Sequence, residues 1–204
     1  MGKAASRAKA KPIEPAMDVA VGMRLRELRR TANLSLETVA SRAALSVGFV
    51  SQIERGLSSP SLRVLATLAD VLGVGIAALF GNQGSDSGAP HGVIIRAADR
   101  AELKLWRTGI SKELLNPTGA DGKLNLFLVH MNPGGSTGDE LYTHDGEEAG
   151  LVLEGEMTLT VGGESWCLKT GDSFRFASRR PHRFSNPSKR AKAVVLWVNC
   201  VTGR

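Results

Sequence analysis

Two hydrophobic periods divide this chain. Between residues 17 and 81, apolar side chains return every three or four positions, the repeat of one helical face. Val21, Leu25 and Leu28 mark a first helix, with Arg24, Arg26, Arg29 and Arg30 filling its other faces. Ser35 is a good N-cap for a second helix carrying Val39, Ala40 and Ala43, and Ser46 for a third that runs through Ile53 to Gly56. Pro60 and Ser61 open a fourth, with Leu62, Leu65, Leu68, Ala69 and Leu72 along one face and Gly73 at its end. A short run, IAALF, predicts a fifth. Five short helices in so small a span predict a compact all-helical domain.

From residue 93 the period is two. Leu124, Leu126 and Leu128 alternate with other residues, as do Leu151 with Leu153, then Met157, Leu159 and Val161. Phe174 with Phe176, and Val194 with Leu196 and Val198, continue the series. The turns PGGSTG, VGGES and KTGDS separate these runs, and short strands at such spacing predict a sandwich or barrel over 93–204. Two stretches fit neither period. Residues 1–16 hold almost no large apolar side chain and read as a disordered basic arm. Residues 82–92, NQGSDSGAPHG, read as an interdomain linker.

Charge follows the same division. The net charge of +6 is concentrated at the front: residues 1–80 hold 11 Lys and Arg against 6 Asp and Glu, the remainder 15 against 14. A basic first half and a near-neutral second half suggest a nucleic-acid surface joined to a domain with another task. No run approaches the ~20 apolar residues of a membrane-spanning helix, and no apolar run follows the basic start as a secretion signal requires. A cytoplasmic protein is expected. The opening MGKAAS formally fits a myristoylation pattern and is read as a chance match to a permissive motif. Cys167 and Cys200, far apart in strand-like surroundings, are expected to be small core residues rather than a disulfide.

The segment LSLETVASRAALSVGFVSQIERGLSSPSLRVLATLADVLGV carries more specific information. A small residue, Ala40, falls where two helices must touch closely, and Val50 with Ile53 anchor the third helix on its core side. Val47, Gly48, Ser51 and Gln52 then point outward together. This block resembles the helix-turn-helix domain of phage-repressor-like regulators of the xenobiotic response element family, over residues 20–80. The resemblance implies that the third helix enters the major groove. There Gln52 would pair with adenine, Ser51 donate or accept, and Val47 touch a thymine methyl, while Ser46 at the helix start suits a phosphate. Arg55, Arg42 and Arg24 are candidate backbone contacts, and dimers spanning one turn of an operator are expected. A helical protein-interaction module is the blander alternative. The basic arm is either a further phosphate contact or a solvated tail.

Residues 140–156, ELYTHDGEEAGLVLEGE, raise a separate question. Tyr142, His144, Glu148 and Gly155, with Gly171, His182 and Asn186 further on, resemble the two motifs of the cupin family, a small double-sheet jelly-roll barrel. Tyr142 stands where the family has its first histidine, Ser136 where the first motif begins with glycine, and Ala177 and Arg179 replace the second motif's proline and glycine. The resemblance implies a divalent transition metal (zinc, nickel or iron) on His144, Glu148 and His182, and the Tyr142 phenol, on the same strand face as His144, is a candidate for the first place. A metal-free pocket for an organic ligand, and a barrel that binds nothing, remain alternatives. Asp139, Glu140, Asp145 and Glu147 form either a cation-favouring mouth or a solvated rim, while Arg175 and Arg183 are candidate carboxylate clamps.

Together these readings predict a DNA-binding transcription regulator, not an enzyme, whose barrel dimerises and senses a small molecule or metal. The rival is a metal-dependent cupin dioxygenase or isomerase fused to a DNA reader. Neither the effector nor its charge is legible.

Overall fold

Three serines start three of the helices. In the computed structural model, which describes residues 15–79, 93–105, 108–117 and 123–200, Ser35, Ser46 and Ser61 lie in extended backbone. Their hydroxyls accept the amide N–H groups of Thr38, Phe49 and Val64, donors that no carbonyl within the helix can serve. The helices are α1 (Pro15–Thr31), α2 (Leu36–Arg42), α3 (Val47–Glu54) and α4 (Leu62–Val71). The expected fifth is a 3₁₀ turn over Ile76–Leu79. Helix α1 begins at Pro15, inside the stretch expected to be an arm, because proline's fixed φ suits a first helical turn. The rest of that arm and the expected linker lie outside the described residues. Among the described residues no helix is long and apolar enough to cross a membrane.

Ala40, Val50, Ile53, Leu65 and Leu68 are buried in one helical core. Helices α1 and α3 approach so closely that a Cβ at Gly22 would collide with the Ile53 carbonyl oxygen. Beside that crossing lies a pair whose meeting was not legible locally. Arg29 on α1 grips Glu54 on α3 through two bonds, Nε–Oε1 at 2.6 Å and Nη2–Oε2 at 2.9 Å, with side chains only 12% and 7% exposed. The third guanidinium nitrogen donates to the Leu34 carbonyl, so the fork also holds the α1–α2 turn. Bidentate geometry fixes the orientation of α3 more tightly than apolar packing alone.

Among the described residues the second half forms nine strands: β1 (Glu102–Leu105), β2 (Ile110–Leu114), β3 (Leu124–Met131), β4 (Glu147–Glu154), β5 (Glu156–Val161), β6 (Glu164–Lys169), β7 (Ser173–Ala177), β8 (His182–Ser185) and β9 (Ala193–Cys200). They make a six-stranded sheet, ordered β1-β2-β3-β9-β4-β7, and a three-stranded sheet, β6-β5-β8, with antiparallel pairing throughout. Gly155, at φ 74°, turns β4 into β5 where a Cβ would strike the Lys192 carbonyl oxygen.

The period of two is present, but several strands bury the other face. In β3 it is Phe127, Val129 and Met131 that fill the barrel, and in β9 Ala193, Val195 and Trp197. Leu126, Leu128, Leu196 and Val198 point outward instead. Both faces of these strands are apolar, so alternation alone does not say which one is inside. The cysteines also differ from expectation. Cys167 is exposed on edge strand β6, Cys200 is half-buried at the end of β9, and both are free thiols rather than core residues.

Breaking the Arg29–Glu54 pair from one side strands a buried charge. Glu54→Ala is expected to cost about 3–5 kcal/mol in urea unfolding, and the double change Arg29→Met with Glu54→Leu to recover most of that loss.

Candidate functional site

The exposed side of α3 gathers most of the residues singled out for DNA. Ser46, Val47, Gly48 and Gln52 are exposed and Ser51 is half-buried, while Val50 and Ile53 on the same helix face the core. Arg42 ends α2 and Arg55 caps α3, both exposed, with Arg55 Nε donating to the Ser51 carbonyl at 3.2 Å. Arg24 is placed differently. Its Nε donates to the Ala78 carbonyl at 2.9 Å and its Nη1 to Glu27 at 2.6 Å, tying α1 to the 3₁₀ turn. Its guanidinium is engaged within the domain.

Inside the barrel, His144, Glu148 and His182 converge, with their ligand atoms within 4.8 Å of one another. Residues 142–144 do not form a regular strand. A single bridge joins Tyr142 to His182, each backbone N–H donating to the other's carbonyl at 3.0 Å. That bridge brings the Tyr142 ring to 4.3 Å from the His182 ring, with Phe176 at 4.9 Å.

Hydrogen bonding sets the chemistry of this cluster. His144 Nδ1 donates to the Asp145 carbonyl at 3.1 Å and His182 Nδ1 to the Arg180 carbonyl at 2.9 Å. Both rings therefore turn Nε2 toward one carboxylate: His144 Nε2 lies 3.1 Å from Glu148 Oε1, and His182 Nε2 lies 3.4 Å from Oε2. Asn199 Nδ2 steadies Oε1 at 3.2 Å. Burial lowers the His144 pKa most strongly, but the Glu148 hydrogen bond and charge outweigh it and leave the imidazole raised above its ordinary value. Burial dominates at His182 and leaves it lowered. Burial also raises Glu148, yet the bond to His144 and the surrounding positive charge hold it below the usual carboxylate range. Burial and then the Glu148 charge push the Tyr142 phenol well above its ordinary value. His182 Nε2 and Glu148 Oε2 are buried without a hydrogen-bond partner. A bare nitrogen lone pair facing a carboxylate oxygen is unfavourable, and a cation between them relieves it. The cluster is thus compatible with a divalent metal on His144, Glu148 and His182.

The remaining motif positions have other tasks. Asn186 is a staple, with Nδ2 donating to the carbonyls of Met131, Asn132 and Ala191. The acids form a rim paired with arginines: Asp145 with Arg179 and Glu147 with Arg175 at 2.8 Å, Asp139 with Arg183 at 4.0 Å, and Glu140 with Arg63 of α4 at 2.9 Å. The last of these links the two domains. Sequence reasoning missed Lys112. The sheet turns Ile110, Lys112 and Leu114 of β2 inward, so a lysine occupies a barrel-core place. A charge at an apolar step of an alternating strand was the available signal.

One cavity, of about 350 Å³, joins the halves. Lys112, Phe127, His144, Glu148 and Trp197 line it from the barrel. Leu62, Ala66 and Ala69 of α4, with Gly73–Ile76 of the following turn, line it from the helical domain.

A helical domain and a barrel that share a cavity wall point to a class, the transcription regulators that join a helix-turn-helix domain to a cupin. The Helix-turn-helix domain family matches residues 20–79 and the Cupin domain family residues 127–199. The chain belongs to the HTH-type transcriptional regulators: it is 32% identical over 170 residues to PuuR of Escherichia coli (strain K12), a match covering 83% of this chain and 89% of that protein. SutR of the same organism is 25% identical over 162 residues, covering 79% of this chain and 84% of SutR. Among solved structures, an HTH_3 family transcriptional regulator from Vibrio cholerae shares the fold, with a TM-score of 0.73 at 24% identity over 93% of this chain and 99% of that one.

In metal-free protein, nitrogen NMR of the imidazoles is expected to show His144 holding its proton above pH 6.5 and His182 losing its proton below that value. A raised folded value means that His144 stabilises the fold below about 6.5 and loses that contribution as pH rises through the folded value. Added Zn²⁺ is expected to displace the His144 proton and shift both Nε2 resonances; unmoved resonances would exclude this cluster as the metal centre.

Proposed function

We propose that this regulator reads its operator with the exposed face of α3 and adjusts that reading through the barrel pocket. The observation that carries the proposal is the shared cavity. A molecule seated between Trp197 and Ala66 touches the DNA-binding domain directly and does not need to act through the linker. Its differential affinity for two placements of α4 then shifts their populations. A preference of about 3 kcal/mol between the two would change operator occupancy roughly a hundredfold.

At the DNA, Gln52 and Ser51 address base edges, Val47 and Gly48 allow close approach, and Ser46, Arg42 and Arg55 take phosphates. Arg24, engaged by Ala78 and Glu27, serves the fold instead. In the barrel a divalent metal would be held by His144, Glu148 and His182. When bound it would supply the positive charge that lets the bare His182 Nε2 face Glu148 Oε2 without conflict. The barrel is read as a sensor rather than a catalyst. Membership among the regulators supports this, as does a neutral Tyr142 phenol in place of the family's first histidine.

A homodimer completes the reading, since paired half-sites need paired helices. The outer face of the six-stranded sheet supports it. Leu126 pairs with Val198, Leu128 with Leu196, and Leu196 with Leu151, giving a contiguous apolar patch turned away from the barrel core.

Gln52→Ala is expected to weaken binding to the protein's own promoter by about 1–3 kcal/mol with circular dichroism unchanged. Fluorescence anisotropy against random duplex separates this from general weakening, and equal affinity for both duplexes before mutation would sink the proposal. Leu196→Asp is expected to yield monomers in sedimentation and to reduce operator affinity in parallel.

A further inference from the structure

We propose that the pocket takes a small monocarboxylate, its head on the Lys112 ammonium and its apolar body between the barrel aromatics and α4. This deepens the sensor reading and rests on it. Lys112 is only 5% exposed and borders the cavity. Its Nζ lies 5.3 Å from the Phe127 ring centre, 5.7 Å from Trp197 and 5.8 Å from Phe184. Among the described residues no carboxylate lies within ion-pairing distance of it. Aromatic faces soften the desolvation of an ammonium, but they do not replace a hydrogen-bond acceptor.

The other charges around the cavity are already engaged or lie at its edge. Glu148 is bonded through Oε1 to His144 and Asn199 and turns its unbonded Oε2 to His182, and Asp145 is paired with Arg179. Asp70 is exposed on α4. The free position is therefore that of an anion, and its size and charge are bounded. Burial lowers Lys112 to about 8, with the Glu148 charge opposing that fall, so it remains largely protonated at neutral pH. Glu148 in the same pocket disfavours a second negative charge on the ligand, so a carboxylate suits the place better than a phosphate dianion. An amine would set a second cation beside Lys112. The cavity of about 350 Å³ has Phe127 and Trp197 on one wall and Leu62, Ala66 and Ile76 on another, which suits a short aliphatic or aromatic body. Arg175 and Arg183, the clamps expected from sequence, are spent on Glu147 and Asp139 at the rim.

The test titrates the full-length chain, stripped of metal with chelator, with phenylacetate and hexanoate. Their primary amides and hexylamine are the controls, followed by calorimetry and thermal shift at neutral pH. The carboxylates are expected to bind at least about tenfold more tightly than the amides, because only they pair with the buried ammonium. Lys112→Met is expected to abolish the carboxylate preference, with circular dichroism of the ligand-free protein unchanged. Lys112→Gln repeats the binding arm should the methionine variant not fold. Equal binding of the amides or the amine, carboxylate binding unchanged in the variants, or no carboxylate binding would each overturn the assignment. Operator affinity is measured on the same samples. Carboxylate binding that leaves it unmoved counts against the sensor reading alone, whereas a neutral or cationic compound that moves it counts against the ligand class alone.

Discussion

A single carboxylate organises the barrel interior. Glu148 is buried among aromatic rings, where an isolated charge would be costly, and its neighbours answer that cost. His144 and Asn199 bond one oxygen, His182 faces the other, and Lys112 contributes positive charge from across the cavity. The backbone carbonyls of Asp145 and Arg180 take both Nδ1 protons and so dictate how the rings face it. The motif spacing is therefore the spacing needed to bring two imidazoles to one buried acid. The same arrangement serves a metal ion or a polar cluster beside a ligand pocket.

The helical domain is organised by a second buried pair. Arg29 and Glu54 join α1 to α3 at the end of α3 and leave the opposite face of that helix, the one proposed to read DNA, exposed. Helix α4 buries Leu65 and Leu68 in the helical core while turning Leu62, Ala66 and Ala69 toward the barrel cavity. The small side chains of Ala66 and Ala69 leave room there. A helix apolar on two sides packs against both domains, so its position cannot change in one without being felt in the other, and the proposed coupling rests on that contact.

Much of this was legible from residue order, for local reasons. A serine hydroxyl reaches an amide three residues on, so the caps at Ser35, Ser46 and Ser61 and the helices after them could be placed. The helical and alternating periods separated the two domains, and the spacing of His144, Glu148 and His182 marked the cluster that the fold assembles. Tertiary structure decided the rest. Which face of β3 and β9 is buried, where Arg24 spends its hydrogen bonds and whether Arg29 meets Glu54 depend on partners distant in sequence. Lys112 interrupts the apolar step of a five-residue strand, but it acquires its meaning only when the rings of Phe127, Phe184 and Trp197 close around it. Caps, periods and motif spacings are written within a few residues. The burial of a charge and the shape of a shared cavity are properties of surfaces brought together by the whole chain.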